Sequence, residues 1–310
     1  MKVGIVGAGA VGTACLFAMV LRGSARDIVL VNRNYARAKG AVTDLQYGSV
    51  LSPAVSLRAG EYADLRGAAM VVITAGANEK SGGATDRNDP AGRLRLLGTN
   101  AAIYRDMVPR IVAAAPEALL LVVTDPPDPL ADLARQIAGH GRVVSSGTFL
   151  DSLRLRFHLG KRLGVDPASV EAQVIGEHGT SQVYLWSTAR VAGTPVIPAL
   201  LPQGTQAAAL RSEVENQVRY ANINIIEGTG ASQLGIGVVA ARLVEIVARE
   251  EEAIVPIGSY RENYGVTLSL PSRLGREGVT RVLVPVLAAD EAQALEKSAA
   301  ALRRALQSIA

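Results

Sequence analysis

The chain has 310 residues, 49% of them hydrophobic and 19% charged, so it can bury a large core and is too apolar to be intrinsically disordered. Its net charge of +4 is scattered and aromatic residues make up only 4%, which argues against a nucleic-acid-binding protein. The single cysteine, Cys15, excludes a disulfide within the chain and fits a reducing cytoplasm, the location we predict. The uncharged stretch 3–21 contains four glycines, which favours a strand, a turn and a helix over a membrane span. We therefore expect neither a nucleic acid nor a membrane as partner.

In chain order, the first half alternates short apolar runs with helical stretches, the pattern of βαβ units around a parallel sheet. We predict strands over residues 2–6, 28–31, 70–73, 119–123 and 142–145, and helices over 11–22, 36–46, 93–115 and 129–138. The second half predicts a strand at 170–175, helices at 212–227, 236–249 and 291–309, and a hairpin of 254–260 with 266–270. The βαβ pattern thus ends near residue 147, which predicts two packed domains, over 1–146 and 147–310. We expect the active site where these domains meet.

A glycine-rich turn follows the first predicted strand and opens the first predicted helix. Its sequence matches G-x-G-x-x-G, in which the glycines permit a tight turn, close approach of a pyrophosphate and close packing of helix on strand. The helix N-terminus then presents unpaired N–H groups to the phosphates. A glycine-rich turn without a ligand is the alternative. The predicted dinucleotide-binding residues of this turn are Gly7, Gly9, Ala10, Val11 and Gly12.

The end of the second predicted strand bears on the choice of dinucleotide. An acidic residue about 20 residues beyond the glycines normally holds the adenosine ribose. This chain has Asn32 followed by Arg33 at that place. A guanidinium beside a neutral residue can accept a 2′-phosphate, which favours tolerance of NADP or preference for it. Alternatively, Asn32 bonds the ribose, Arg33 faces water and the cofactor is NAD.

Two segments of the second half contain the groups that a proton-and-hydride reaction on a hydroxy acid requires. His178, one of three histidines, would take the hydroxyl proton, and Asp151 would fix the tautomer of its imidazole. Arg154 would hold a carboxylate through two parallel hydrogen bonds. Residues three apart, as Asp151 and Arg154 are, can also form a simple ion pair on a helix surface. The histidines show no metal-ligand spacing, so we expect no metal site.

The chain resembles the lactate/malate dehydrogenase family, on its lactate-dehydrogenase-like side, through motifs that occur in the family order. Besides the glycine turn and the two acid–base segments, these are residues 74–78 (TAGAN), 124–128 (TDPPD), 225–228 (IIEG) and 264–271 (YGVTLSLP). The resemblance implies an α/β fold, with an N-terminal Rossmann doubly wound parallel sheet and a C-terminal α+β catalytic domain. It also implies a homo-oligomer, either a dimer or a tetramer.

The resemblance assigns roles to individual residues. His178 would be the general acid/base, Asp151 its orienting partner and Arg154 the clamp on the substrate carboxylate. The family's mobile loop carries an arginine that polarises the reacting C–O bond, and the frame RLRLLGTN makes Arg93 our choice, with Arg87 as the fallback. The residues expected near the cofactor are Thr74, Ala75, Gly76 and Asp125, and Ser232 is expected against the substrate side chain.

Three features depart from the family. Segment 81–92 lengthens the mobile loop by about eight residues, either to cover a bulkier substrate or as a tolerated insertion. Glu79 stands where lactate enzymes carry Gln and malate enzymes carry Arg, and its charge would repel the second carboxylate of oxaloacetate. Asp125 replaces an Asn near the nicotinamide, and its charge would disfavour a nearby anion unless it is protonated or paired.

Together these features predict an enzyme that transfers a hydride reversibly between NAD or NADP and an L-2-hydroxy acid, with oxaloacetate disfavoured. The substrate would be a small carboxylate. Because Glu79 and Asp125 add negative charge, an NADPH-dependent reductase of a cationic or imine substrate is an alternative. An alternative of another class is a dinucleotide-binding sensor without catalysis, against which the intact set of His178, Asp151 and Arg154 argues.

Overall fold

The structure is a computed structural model that describes residues 1–77, 85–87, 89, 92–200 and 207–309, with the backbone alone for residues 92 and 93. The strands are β1 (Lys2–Val6), β2 (Asp27–Val31), β3 (Ser56–Gly60), β4 (Met70–Ile73), β5 (Leu119–Val122), β6 (Val143–Ser145), β7 (Val170–Glu171), β8 (Val174–Ile175), β9 (Val183–Tyr184), β10 (Arg190–Val191), β11 (Thr194–Pro195), β12 (Ile254–Arg261), β13 (Val266–Gly275) and β14 (Gly278–Val282). The helices are α1 (Ala10–Arg22), α2 (Tyr35–Ser49), α3 (Leu97–Ala114), α4 (Pro127–Ala138), α5 (Phe149–Leu163), α6 (Val196–Leu200), α7 (Ala207–Arg219), α8 (Ala221–Thr229), α9 (Leu234–Ala248) and α10 (Ala289–Gln307).

The parallel half of the main sheet positions the cofactor end of the site. The strand order of this sheet, within the described residues, is β14-β13-β12-β6-β5-β4-β1-β2-β3, and the pairs from β3 to β6 are parallel. Successive side chains alternate between the two faces, so Ile5 lies in one hydrophobic cluster and Val6 in the other. Helices α1, α2 and α9 cover the first face, and α3 and α4 cover the second. The carboxyl ends of β1, β4, β5 and β6 therefore meet at one edge, between two helical layers.

The antiparallel half of the same sheet comes from the C-terminal part of the chain. β12 and β13 form the predicted hairpin, paired from Ile254 with Arg273 to Arg261 with Val266. A single pair, Gly258 with Ser145, joins β12 to β6 and makes one continuous sheet. The C-terminal helix α10 packs on β13 in a separate hydrophobic cluster. The sequence placed this hairpin correctly but did not indicate that it extends the parallel sheet.

Three sequence predictions need correction. The predicted strand at 170–175 is two short strands, β7 and β8, which belong to different small sheets. The predicted helix at 212–227 is two helices, α7 and α8, which are separated at Tyr220. Strand β3 was missed, because it is an edge strand whose sequence SLRAG lacks the continuous apolar run of a buried parallel strand.

The apolar helices of the described residues were compared with the length of a membrane span. No single helix among them is long and apolar enough to cross a membrane. Helices α8 and α9 together reach that length and composition, but the chain bends by 117° between them. The buried residues of α9 include Val239, Leu243 and Val247, which pack in the hydrophobic cluster on the α1 face of the sheet.

Candidate active site

Two of the three glycines in the turn after β1 are required by close contacts within the chain. Gly7 has a φ of +116°, and a Cβ on it would lie 2.6 Å from the backbone nitrogen of Ala75. A Cβ on Gly12 would lie 1.8 Å from the carbonyl oxygen of Gly7, so a side chain there would push α1 away from the turn. Around a Cβ built on Gly9, by contrast, no heavy atom of the described chain lies within 4 Å apart from its chain neighbours. The turn therefore offers bare backbone and a helix N-terminus, which fits a dinucleotide pyrophosphate.

The loops after β4 and β5 are bonded to each other and to the glycine turn. The Thr74 hydroxyl donates to the carbonyl oxygen of Gly7 at 3.0 Å. Asn100 of α3 is fully buried and joins both loops: its Oδ1 accepts from the Ala77 backbone N–H, and its Nδ2 donates to the Asp125 carbonyl, each at 2.7 Å. The sequence showed Asn100 only as the end of a motif frame, because these contacts span 23 and 25 residues.

One cavity of about 300 Å³ runs from the glycine turn to His178. The predicted site residues that line it are Gly9, Ala10, Val11, Thr74, Gly76, Asp125, Arg154, His178 and Ser232. They come from both halves of the chain, as expected for a site between two domains. Gly7, Gly12, Ala75 and Asp151 lie behind this lining and contact it.

His178, Asp151 and Arg154 form one hydrogen-bonded group. Asp151, in the first turn of α5, is only 1% exposed and uses both carboxylate oxygens. Its Oδ2 lies 2.5 Å from His178 Nδ1, and its Oδ1 accepts from Arg154 Nη1 at 3.1 Å. The ion pair that a three-residue spacing allows is therefore present, but it is buried and shared with His178 rather than exposed on a helix surface. The predicted acid–base constellation is assembled at one point of the cavity.

The backbone around His178 is held by side chains and strands from three distant parts of the chain. The segment follows β8, and Gly176 makes the turn with a φ of +82°. The backbone N–H groups of Gly176, Glu177 and His178 each donate one hydrogen bond. Their acceptors, in the same order, are the Ser269 carbonyl at 2.8 Å, Ser298 Oγ at 2.8 Å and Asp128 Oδ2 at 2.7 Å. Sequence reasoning singled out none of these three acceptors.

Asp128 is a second buried carboxylate next to the catalytic group. It lies in the first turn of α4, is 1% exposed, and its Oδ1 accepts from the Ser145 hydroxyl at 2.5 Å. Burial raises the pKa of Asp128 to about 7, although the hydrogen bonds from Ser145 and from the His178 backbone partly oppose that rise. The available signal for it in the sequence was an acidic residue, repeated four positions later at Asp132, among apolar residues such as Leu130 and Leu133.

At the adenosine end, the Asn32 side chain is bonded to the glycine turn. Its Oδ1 accepts from the Ala8 backbone N–H and its Nδ2 donates to the Asn34 carbonyl, each at 3.0 Å. Arg33 is exposed. Arg37, on the first turn of α2, lines the cavity, and sequence reasoning missed it. Asn34 caps this helix, because its side chain accepts from the Arg37 backbone N–H at 3.3 Å. A basic residue three positions after such a cap was the feature of the sequence that could have indicated Arg37.

The residues expected at the substrate end, from Glu79 to Arg93, are only partly described. Glu79 and most of segment 81–92 lie outside the described residues, and for Arg93 only the backbone is described, in a 3-10 turn over Gly92–Leu96. Arg87 is described, and its guanidinium binds both carboxylate oxygens of Glu227 on α8, at 2.8 and 2.9 Å. It also donates to Asn224 Oδ1 at 2.6 Å. Arg87 thus contacts α8, beside a second cavity that His178 also lines.

Within the described part of the chain, no group of three or more His, Cys, Asp or Glu side chains could hold a metal ion. The comparisons with known proteins identify the family. Residues 1–144 match the family model of the lactate/malate dehydrogenase NAD-binding domain, and residues 148–310 match that of the lactate/malate dehydrogenase α/β C-terminal domain. The chain belongs to the lactate/malate dehydrogenase family.

Relatives with a similar sequence carry one name. An L-lactate dehydrogenase of Chloroherpeton thalassium is 42% identical, over 100% of both chains, and one of Deinococcus radiodurans is 43% identical, over 98% of this chain and 97% of its own. A solved lactate dehydrogenase from a Medee basin deep-sea metagenome library superposes with a TM-score of 0.90 at 32% identity, covering 99% of this chain and 98% of its own. The minor L-lactate dehydrogenase of Enterococcus mundtii gives a TM-score of 0.90 at 30% identity, covering 100% of this chain and 98% of its own.

Membership of the lactate/malate dehydrogenase family confirms several predictions made from the sequence. The fold is a Rossmann domain followed by a C-terminal α/β domain, and the protein is an oxidoreductase of the 2-hydroxy acid dehydrogenase type with an NAD-binding domain. Its substrate is a small carboxylate. The comparisons support neither a cationic or imine substrate nor a sensor that has lost catalysis.

Proposed function

We propose that this member of the lactate/malate dehydrogenase family interconverts L-lactate and pyruvate, and that it accepts both NAD(H) and NADP(H). The observation that carries the proposal is a single cavity lined by both His178 and Arg154 and by the bare backbone at Gly9. The acid–base group and the pyrophosphate site are thus parts of one site. The name L-lactate dehydrogenase, shared by relatives 42% and 43% identical to the chain, supports lactate as the hydroxy acid.

The proton moves through His178. When bound, the dinucleotide supplies or accepts the hydride, and Gly9, Ala10 and Val11 would hold its pyrophosphate. Because His178 Nδ1 faces Asp151, the neutral imidazole carries its proton on Nδ1 and donates a hydrogen bond to that carboxylate. Nε2 is then unprotonated and can act as the base. In the oxidation direction Nε2 takes the proton of the substrate hydroxyl, and in reduction it returns that proton. The carboxylate of Asp151 stabilises the imidazolium that forms between these two events.

The arginines bind and polarise the substrate. Arg154 lines the cavity at the side of His178 and would bind the substrate carboxylate. We assign polarisation of the reacting C–O bond to Arg93, on the strength of its place in the family's loop frame. The fallback, Arg87, is less suited, because its guanidinium already binds both oxygens of Glu227.

The size and charge of the pocket set the proposed specificity. Gly230, Ala231 and Ser232 form a wall of small residues in the cavity, which suits a substrate with a short side chain. Glu79, at the family's discriminating position, would repel a second carboxylate and so disfavour oxaloacetate. Asp125 lines the cavity and would add to that repulsion when it is ionised.

The proposed use of NADP(H) rests on the charges near the end of β2. No acidic side chain stands at the position of Asn32, and the exposed Arg33 adjoins it. Arg37 adds a second guanidinium that lines the cavity. A 2′-phosphate would meet positive charge here and none of the repulsion that a carboxylate would give.

A panel of 2-oxo acids tested with NADH and with NADPH examines both parts of the proposal. We expect pyruvate to have the highest kcat/KM, with oxaloacetate at least about tenfold lower because of charge repulsion. We expect kcat/KM for NADPH to lie within about tenfold of that for NADH, and Asn32→Asp to favour NADH further. A preference for oxaloacetate would refute the substrate, and a preference for NADH above about a hundredfold would refute dual cofactor use.

We also propose that the protein is a homo-oligomer. Phe17 and Leu21 on α1, and Leu234 and Val238 on α9, are 48–69% exposed, and each pair lies one helical turn apart. The two helices pack closely, since a Cβ on Gly237 would lie 2.8 Å from the Ala14 carbonyl oxygen. Four large apolar side chains on adjoining helices form a surface that a second copy of the chain could cover.

A cytoplasmic location is part of the same proposal. The lone Cys15 is buried and free, as a thiol is in a reducing compartment. Burial also raises the pKa of the Cys15 thiol to about 12, which keeps it unreactive. Recovery of the dehydrogenase activity with the cytoplasmic fraction of the source cells is the expected result, and recovery with the secreted fraction would contradict it.

A further inference from the structure

The carboxylate of Asp128 contacts the catalytic histidine through the backbone rather than through the imidazole. Its Oδ2 accepts the His178 N–H at 2.7 Å, while Asp151 binds the imidazole Nδ1 of the same residue at 2.5 Å. His178 is therefore fixed at two points, its peptide nitrogen and its ring. With both ends held, the direction in which Nε2 points into the cavity is determined by two carboxylates on two different helices, α4 and α5.

The other oxygen of Asp128 is tied to the main sheet. Oδ1 accepts from the Ser145 hydroxyl at 2.5 Å, and Ser145 is the residue of β6 that pairs with Gly258 of β12. A Cβ on Gly258 would lie 1.9 Å from Ser145 Oγ and 2.7 Å from Asp128 Oδ1. The hairpin backbone thus closes over the Asp128–Ser145 pair, and only a glycine leaves room for it. The carboxylate cannot shift without disturbing the junction of β6 and β12.

Burying this carboxylate has a cost that its partners only partly offset. A buried carboxylate must be hydrogen-bonded or neutralised, and burial raises the pKa of Asp128 to about 7. The N-terminus of α4 provides a partial positive charge, and two hydrogen bonds add to it. The contact with the His178 peptide nitrogen explains what this group contributes in return.

We propose that Asp128 is a positioning residue for His178, which holds the histidine backbone so that the imidazole meets both Asp151 and the substrate hydroxyl. The inference rests on the proposed function, in which His178 Nε2 exchanges a proton with the substrate. Asp128 does not line the cavity and does not touch substrate or cofactor. Its removal is therefore expected to lower turnover and to leave dinucleotide binding unchanged.

Helix α4 contains its own matched control, one turn further along. Asp132 is also 1% exposed, and it also accepts one backbone N–H and one hydroxyl, both from Thr267 of β13, at 2.7 and 2.9 Å. It has no contact with His178 among the described hydrogen bonds. Asp132 also lies 3.8 Å from Arg135 Nε. The two aspartates therefore share a helix, a depth of burial and a kind of hydrogen bonding, and differ in this ion pair and in the segment that they hold.

The test compares Asp128→Ala, Asp128→Asn and Asp132→Ala by kcat, by NADH affinity and by thermal midpoint. Misplacing a catalytic group by about 1 Å costs about a hundredfold, so we expect D128A to lower kcat by ~10- to 100-fold with NADH affinity unchanged. Asn keeps an oxygen for the His178 N–H and an amide for Ser145, so D128N should recover kcat to within about threefold of wild type. D132A should lower the thermal midpoint with kcat within about twofold of wild type.

Three results would overturn the inference: D128A with wild-type kcat, D128N no better than D128A, or D132A with an equal loss of kcat. If D128A is not recovered folded, Ser145→Ala tests the inference in its place. This variant removes the hydrogen bond to Asp128 Oδ1 and keeps Oδ2, the acceptor of the His178 N–H. We expect S145A to lower kcat by about threefold or more, and an unchanged kcat would overturn the inference.

A readout that is independent of turnover separates this inference from the proposed function. The chain has three histidines, so the His178 imidazole resonances can be assigned with a His178→Ala reference. We expect these resonances to shift in D128A and to return in D128N, while D132A leaves them in place. Unchanged resonances in D128A would refute positioning by Asp128, whereas a wild-type protein without activity on any 2-oxo acid would refute the proposed function instead.

Discussion

His178 is held by two carboxylates, and the sequence revealed only one of them. Asp151 and Arg154 share one short motif, and His178 stands in another, so the types of residue and the family order were enough to predict the group. Asp128 lies 50 residues from His178 and accepts a hydrogen bond from its backbone N–H. Every residue except proline has such an N–H, so the identity of His178 does not indicate this contact. Contacts of this kind are set by the tertiary packing of α4 against the segment after β8, and a pattern of residue types cannot predict them.

Asp128 also predicts a pH dependence of stability. Burial is the largest influence and raises the pKa of Asp128 to about 7, against an ordinary value of 3.8. Three groups face the carboxyl: the hydrogen bonds from Ser145 and His178 lower its pKa, and the charge of Glu177 raises it. A carboxyl with a raised pKa binds more protons in the folded state. Its contribution to stability is therefore complete at acidic pH and is lost as the pH rises through about 7.

Thermal unfolding of wild type and Asp128→Asn across this range measures that contribution. The neutral amide resembles the protonated carboxyl, so the thermal midpoint of D128N relative to wild type should rise between acidic and neutral pH. The relative gain amounts to ~4 kcal/mol at most, or several degrees. Measuring both proteins in the same buffers cancels shared effects. A difference in thermal midpoint that does not change with pH would contradict the burial argument.

At the scale of elements, the sequence was reliable where apolar runs are long and buried on both faces. β1 and β4 were predicted to the residue, because each is a continuous run inside the sheet. The short strands β7 to β11 have two residues each, too few to show a period, and β3 and β14 lie at the sheet edges, where one face need not be apolar. The bend between α7 and α8 followed no proline or glycine and was missed for that reason.

The ion pair between Arg87 and Glu227 of α8 gives a prediction at this scale. The ion pair of Arg87 with Glu227 is exposed to solvent. The hydrogen bond from Arg87 stabilises the charged carboxylate and so lowers the pKa of Glu227. Exposed pairs contribute little, so we expect Arg87→Ala to raise KM for the 2-oxo acid by only about 2- to 5-fold, with KM for NADH unchanged. The effect should shrink at high salt.

Two further variants make this prediction specific to the pair. The charge swap Arg87→Glu with Glu227→Arg should restore a low KM, because it rebuilds the same contact with the charges exchanged. Arg110→Ala removes an exposed ion pair with Asp106 on α3 and should leave KM unchanged. If KM for the 2-oxo acid in R87A equals that of wild type at low salt, the pair of Arg87 with Glu227 does not contribute to binding of the 2-oxo acid.

At the scale of the whole molecule, the site exists because one sheet joins the two halves of the chain. The parallel strands bring the glycine turn and the loops after β4 and β5 to one edge, and the single pair of Gly258 with Ser145 attaches the C-terminal hairpin to the same sheet. Helix α9, from the C-terminal half, packs on α1 of the cofactor domain. The motifs predicted that residues from both halves of the chain would line one cavity, as they do, but they did not predict this shared sheet.

The apolar surface of α1 and α9 predicts the assembly state. The wild-type protein should sediment as a dimer or a tetramer, and Leu21→Glu should shift it to a smaller species, because a charge in an apolar interface is left unpaired. Val286→Glu alters an apolar side chain outside both helices, which is 88% exposed against 52% for Leu21, and should not change the mass. A monomeric wild type, or an L21E variant of unchanged mass, would contradict the proposed interface.

His178 is proposed to exchange the substrate proton in a cavity that it shares with the dinucleotide. The most direct measurement is the kcat of His178→Ala for pyruvate reduction, together with its NADH dissociation constant. The loss of a general acid/base should lower kcat by ~10³-fold, while NADH affinity stays within about twofold of wild type, because the glycine turn is untouched. Near-normal turnover in H178A, in a folded protein that binds NADH, would contradict the account.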